Sequence, residues 1–210
     1  MKKEIKLIIF DLDGTLYNLN DVVAANYQMQ LDFFMEYTKK DLNEAVLAFE
    51  ENNIFPEKRK ESRSATEYFA RLGLPIKKWN QYREVCFNAE YINKEHAVKQ
   101  STLELFLKIA PLVLLSSNSY SNIHKILSHI DISELIFEEI ICSDNCHCGE
   151  PFMKINEIRA LAERREIDPK QIFSVGDRYN TDIKPLVDLG GSGEVVNGPG
   201  DLFRVYNLIN

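Results

Sequence analysis

The sequence predicts an α/β protein: a parallel sheet with helices on both faces, and an all-helical segment inserted after the first strand. Three observations carry that expectation. Short runs that are apolar throughout recur along the chain, and between most of them the apolar residues fall at helical spacing. The stretch from Asn18 to Lys99 has helical spacing alone and no convincing strand. Aspartate, serine and glycine follow the apolar runs at once, where an open parallel sheet presents its ligand-binding edge.

Taken in order, Leu7-Ile8-Ile9-Phe10 has the pattern of a strand buried on both faces. From Asp21 to Lys40, Val22, Val23, Tyr27, Leu31, Phe34 and Tyr37 lie near helical spacing. Asp41 and Glu44 form a capping-box pattern that leads into Ala45, Val46 and Phe49. Ser64 opens another helix, which Gly73 and Pro75 close. Lys77 to Asn93 reads as one longer helix through Trp79, Tyr82, Val85, Cys86, Ala89 and Tyr91. From Ser101 the two periodicities alternate. A helix over 102–110 is broken by Pro111, and Leu112–Leu115 is the second strand. A helix over 121–130, a strand over 139–142 and a helix over 151–165 with Pro151 in its first turn come next. A strand over 171–175 and a helix over 181–189, ended by Gly190-Gly191, precede a short strand over 193–196 and a closing helix over 201–209. Strands alternating with helices imply a parallel sheet covered on both sides. Residues 1–17 and 100–210 are thus expected to form the α/β core, and 18–99 a separate helical domain.

Bulk composition narrows the functions available. The chain has 210 residues, and its 45% hydrophobic content is ample for a packed core. A formal net charge of −7 disfavours binding to a nucleic-acid polymer or to an anionic membrane surface. A phosphorylated small molecule stays admissible, because a local metal or basic group outweighs the global sign. The apolar stretch near the N-terminus is too short for a signal peptide, and no run approaches a transmembrane length, so a cytoplasmic location is the default. Four cysteines are too few to staple a chain of this size. Cys142, Cys146, His147 and Cys148 are zinc-ligand types close together, but no second ligand pair stands at a suitable spacing, so they read as incidental loop residues.

The most informative stretch is LIIFDLDGTL, residues 7–16. Asp11 and Asp13 project to the same side of an extended chain, so two carboxylates crowd the end of a buried strand. Such charges repel unless a cation neutralises them. Gly14 permits a sharp turn, and Thr15 offers a hydroxyl near its start. Ser117 and Asn118 follow the second strand, Glu150 and Lys154 lie beyond the third, Asp177 follows the fourth, and Asp182 stands in VGDRYNTD. All fall on one rim of the expected sheet.

With DLDGTL, VLLSSN and VGDRYNTD in that order, the chain resembles the haloacid dehalogenase (HAD) superfamily. The resemblance implies a Rossmann-like core, and the helical segment resembles the family's α-helical cap. It further implies a Mg²⁺-dependent phosphatase acting on a small phosphorylated metabolite through an aspartyl-phosphate intermediate. Asp11 is then the nucleophile. Asp13 protonates the leaving alcohol and later activates water. Asp11, the backbone carbonyl of Asp13, and Asp177 hold the metal, and Asp182 ligates through water or orients the site. Ser117 binds the phosphoryl group, helped by N–H groups around Gly14 and Asn118, while Thr15 fixes the loop. The family's third motif sets a lysine just before a proline, whereas here Glu150 precedes Pro151. The nearest substitute is Lys154, one turn into the expected helix, with a stem long enough to reach the phosphate. A phosphomutase shares the same apparatus, and Glu150 leaves room for a weakly catalytic binding or regulatory protein. The aromatics Tyr27, Phe34, Phe69 and Tyr91 are expected to fill the cap's core. The basic run Lys58-Arg59-Lys60 with Arg63 offers charge for a second anionic group of the substrate, or forms a solvated face.

Overall fold

Leu7–Phe10 forms strand β1, and all four of its side chains are buried because the strand runs through the middle of the sheet. The computed structural model describes residues 4–54, 64–145 and 152–210. The basic run at 58–60 with Arg63, and Cys146, His147, Cys148, Glu150 and Pro151, lie outside the described residues. Strands β2 (Leu112–Leu115), β3 (Glu139–Ile141), β4 (Ile172–Gly176) and β5 (Ser192–Val195) complete a five-stranded sheet in the order β3-β2-β1-β4-β5. Every pairing is parallel: Ile9 of β1 stands opposite Val113 of β2 and Ser174 of β4.

Alternate side chains of each strand feed two apolar layers, as the strand period requires. Ile8, Phe10, Leu112, Leu114 and Val175 pack on one face with residues of α5 (Gln100–Leu107), α6 (Tyr120–His129) and α9 (Leu202–Ile209). Leu7, Ile9, Val113, Leu115 and Ile172 pack on the other, against Ile158 and Leu161 of α7 (Lys154–Arg164) and Leu186 of α8 (Lys184–Asp188). The α/β reading of the sequence, with a parallel sheet covered on both faces, is what the chain adopts.

Between β1 and β2 the described chain is helical: α1 (Val23–Thr38), α2 (Leu42–Glu51), α3 (Ala65–Arg71) and α4 (Ile76–Cys86). These four helices hold an apolar cluster of their own, with Phe33, Phe34, Phe49, Phe69 and Trp79 at its centre. Aromatic edges meet faces there; Phe69 lies 5.1 Å from Trp79 at an interplanar angle of 90°. The capping box at Asp41 forms as its spacing predicts, with Glu44 N–H donating to Asp41 Oδ1 at 2.9 Å and Asp41 N–H to Glu44 Oε2 at 3.0 Å.

Two expectations in this region need correction. The long helix over 77–93 stops at Cys86. Asn88 and Asn93 then cap separate 3-10 turns with their side chains, offering the backbone an alternative to continuing the helix. Tyr91 consequently leaves the core and is 62% exposed, unlike Phe34 and Phe69.

Candidate active site

The end of β1 is where the reactive groups converge. The N–H of Asp11 continues the ladder by donating to Val175 O at 2.9 Å, so its backbone extends β1 alongside the end of β4. Connections leave these two strands toward opposite sheet edges, which opens a crevice there. A tight turn follows: Thr15 and Leu16 N–H groups both donate to Leu12 O, and Gly14 takes φ of 80°, a conformation that favours glycine. That turn carries Asp13 back over the strand end. Thr15 is fully buried, but its hydroxyl has no hydrogen-bond partner among the described residues. Its backbone, and not its side chain, is what ties it into the loop.

Lys154 is the first residue of α7, not a turn inside it as the sequence reading had it. A side chain at a helix start leans toward the preceding chain. Its Nζ reaches Asp11 Oδ1 at 2.7 Å and Asp182 Oδ1 at 2.8 Å, and the residue is only 3% exposed. Lys154 is thus a buried, doubly paired cation and not a solvated surface residue.

Asp182 comes from a π-helical turn, Tyr179–Ile183, that precedes α8 where a plain helix was expected. The wider turn brings Thr181 and Asp182 inward, and both are buried. Both carboxylate oxygens of Asp182 are engaged, Oδ1 by Lys154 and by Thr181 Oγ1 at 2.9 Å, and Oδ2 by the Arg178 N–H at 2.8 Å. Burial alone would raise its pKa, but Lys154 and Arg178 outweigh that and hold it down at about 2. Asp11 goes the other way. Burial, together with Asp182, Asp177 and Asp13, pushes it up to about 7 against the pull of Lys154. Arg178 is buried beside this cluster, its Nε 3.7 Å from Asp177 Oδ1, and the surrounding carboxylates hold it charged against the effect of burial.

Oxygens of Asp11, Asp177 and Asp182 all lie within 4.8 Å of one another. Asp11 Oδ2 is buried with no hydrogen-bond partner among the described residues. An orphaned carboxylate oxygen in an all-oxygen cluster fits a hard divalent cation such as Mg²⁺.

The strand end requires glycine at 176 because a Cβ there would stand 2.3 Å from Asp182 Cβ. Gly176→Ala is therefore expected to push Asp182 off Lys154. Overpacking of this kind costs about 2 kcal/mol, which for a chain of this size lowers Tm by about 4–8 °C in a thermal melt.

Asp13 receives two donors, Tyr17 Oη at 2.6 Å on Oδ1 and Asn118 Nδ2 at 2.8 Å on Oδ2. Ser117 and Asn118 are buried at the end of β2, and Ser117 Oγ lies 3.3 Å from Ser64 Oγ at the start of α3. Ser119, not Ser117, caps α6, so the Ser117 hydroxyl is not used for capping. Three contributors escaped the sequence reading. Tyr17 adjoins DLDGTL and Arg178 stands inside VGDRYNTD, so both carried a positional signal. Arg83, buried on α4 and bonded to Ser117 O at 2.9 Å and to Asn118 Oδ1, had none beyond being a lone cation on an apolar helix face.

The family model for haloacid dehalogenase-like hydrolases matches residues 5–190. No curated protein matches the chain. Among solved structures, a HAD phosphatase from Thermococcus onnurineus is similar at 16% identity and a TM-score of 0.58, with 98% of each chain covered. The putative HAD-hydrolase YfnB from Bacillus subtilis, bound to magnesium, is similar at 14% identity and a TM-score of 0.59, covering 99% of this chain and 100% of that one. A 2-haloacid dehalogenase from Pseudomonas syringae is similar at 16% identity and a TM-score of 0.52, covering 98% and 100%. Among the described residues no helix is long and apolar enough to cross a membrane. Sheet order, helical insertion, acidic cluster and family model agree: the chain belongs to the haloacid dehalogenase-like hydrolases.

Proposed function

We propose that the protein is a Mg²⁺-dependent phosphatase that hydrolyses a small phosphorylated metabolite through an aspartyl phosphate on Asp11. The observation that carries this reading is the division of labour between the two oxygens of Asp11. Oδ1 is held by Lys154, and Oδ2 is buried without a hydrogen-bond partner among the described residues. In the first half-reaction Asp11 attacks phosphorus, and the bond to the leaving oxygen breaks as Asp13 supplies a proton to that oxygen. In the second, Asp13 takes a proton from water, whose oxygen attacks phosphorus and releases Asp11 and inorganic phosphate. Lys154 orients the nucleophile and faces the phosphoryl charge, with Ser117 Oγ and N–H groups near Gly14 and Asn118 as further donors. Asp11, Asp177 and the carbonyl of Asp13 would hold Mg²⁺, which supplies cationic charge against two approaching anions. Asp182, with both oxygens engaged, positions Lys154.

The helices over 18–99 act as a cap in this reading. Ser64 meets Ser117, and Asn80 Nδ2 donates to Asp144 Oδ1 at 2.5 Å, so insertion and core touch across the crevice. Asp11 is only 4% exposed beneath those contacts, so substrate entry requires them to part.

Dehalogenases share the fold, and Asp13 separates the two chemistries: a halide leaves without a proton, whereas an alkoxide needs one. Purified protein is expected to release phosphate from p-nitrophenyl phosphate with Mg²⁺, to stop with EDTA, and to resume on adding Mg²⁺ back. It is expected to release no chloride from 2-chloropropionate. Chloride release without phosphate release would refute the phosphatase reading.

A further inference from the structure

Arg83 is a buried cation in the candidate site for which the phosphatase mechanism above has no use. Its guanidinium donates to Thr66 Oγ1 at 3.5 Å, to Ser117 O at 2.9 Å and to Asn118 Oδ1, and its Cζ lies 5.2 Å from the Trp79 ring centroid. None of these partners is a carboxylate. Among the described residues, the anions near enough to attract it are Asp13 and Asp144. Each is bonded elsewhere: Asp13 to Tyr17 and Asn118, and Asp144 to Asn80 and the Tyr120 N–H. Burying a guanidinium against neutral acceptors is costly, and buried charges are ordinarily paired.

Position decides which anion would complete it. Lys154 is bonded to Asp11 and Asp182, and Arg178 stands beside Asp177. Arg83 is held instead at the end of β2, one amide away from Asp13: Asn118 Oδ1 accepts from Arg83 while Asn118 Nδ2 donates to Asp13 Oδ2. Asp13 is the group assigned to the leaving oxygen, so Arg83 faces whatever that oxygen carries.

Resting on the phosphatase reading, we propose that Arg83 binds a second anionic group on the leaving portion of the substrate, a carboxylate or a second phosphate a few bonds from the scissile oxygen. The substrate class is then a short phosphorylated hydroxy acid or a bisphosphate. A planar, two-pronged guanidinium suits either anion. Because Arg83 belongs to the inserted helices and Ser117 to the core, the bound anion would also draw the two together over the reacting atoms.

The test uses matched esters: the monophosphates of two- to four-carbon hydroxy acids, the bisphosphates of diols of the same lengths, and the corresponding alkyl phosphates. The wild-type protein with Mg²⁺ is expected to favour at least one doubly anionic ester over its alkyl counterpart by about 10²-fold in kcat/KM. The carboxylate and bisphosphate series identify which anion is read. Arg83→Gln is expected to erase that preference, lowering kcat/KM for the favoured ester about 10²-fold more than for its alkyl counterpart, chiefly through KM. Arg83→Lys retains the charge and is expected to keep part of the preference, which guards against misreading an unfolded Gln variant. Equal losses on charged and uncharged esters would mean that Arg83 serves the phosphoryl group, Asp13 or the contact between insertion and core, and would overturn the proposal. So would a wild-type protein that hydrolyses alkyl and aryl phosphates with no preference for a second anion. Hydrolysis of none of these esters would instead sink the phosphatase reading, and this inference with it.

Discussion

Asp11→Asn is expected to abolish phosphate release, with a fall in kcat of about 10⁵-fold or more, while leaving the protein folded. The amide keeps the shape of the carboxylate but cannot attack phosphorus, so the covalent route closes. Stability should respond differently from activity. Asp11 is buried among Asp182, Asp177 and Asp13, which push its pKa up to about 7, so its charge is poorly tolerated in the metal-free protein. Asn removes that charge and leaves an oxygen to accept from Lys154 Nζ. The nitrogen takes the place of Oδ2, which has no partner to lose among the described residues. The expected Tm without metal is therefore unchanged or higher, and the dependence of Tm on added Mg²⁺ weaker than in the wild type. Acid-quenched wild-type protein should carry substrate-derived phosphate on Asp11, found by peptide mass spectrometry after borohydride reduction. Phosphate release by the Asn variant at more than about a hundredth of the wild-type rate would be incompatible with a covalent role for this side chain.

The ease with which this site is read from the chain differs from residue to residue, and the differences have physical causes. Asp11 and Asp177 are legible because each directly follows a run of residues buried on both faces, and a parallel sheet brings such positions to one edge; Asp13 is legible by standing two residues beyond Asp11. Lys154 was reachable only through the length of its side chain, since its pairing with both Asp11 and Asp182 depends on where α7 begins. The π-helical turn at 179–183 left no pattern, because inserting one extra residue per turn is a tertiary choice that seats Asp182 against Gly176. Tyr17 adjoins DLDGTL, but its hydroxyl contact with Asp13 is not legible, because it depends on how the chain folds back through the turn at Gly14. Arg83 is the hardest case. It lies on a helix of the insertion, far along the chain from every motif, and only the docking of that helix on Ser117 and Asn118 reveals it. The break at Cys86 has a local reason: Asn88 and Asn93 compete for backbone N–H groups that a continuous helix would have used.

Lys154→Met is expected to reduce both activity and stability, a combination that distinguishes it from Asp11→Asn. Lys154 Nζ is the one described side-chain cation bonded to both Asp11 and Asp182, and all three groups are buried. Removing one member of a buried ionic cluster leaves uncompensated charge, which costs about 3–5 kcal/mol and corresponds to a fall in Tm of roughly 10 °C for a chain of this size. Methionine fills the space of the stem, so the loss is electrostatic and not a cavity effect. Divalent cation should restore part of the stability, because it neutralises the same carboxylates, and the increase in Tm on adding Mg²⁺ should exceed that of the wild type. Activity should not recover in step. Lys154 fixes the direction of Asp11 and faces the charge of the transferring phosphoryl group, and losing a preorganised donor of this kind lowers kcat about 10²–10³-fold. Lys170→Met is the matched control, since Lys170 is exposed and remote from the acidic cluster, and it should leave both rate and Tm near wild-type values. A Lys154 variant as active as the Lys170 variant would assign phosphoryl stabilisation to the metal and Ser117 alone. In that event the lysine would serve only to keep the buried carboxylates apart, and the missing lysine before Pro151 would mark a real departure from the family's chemistry.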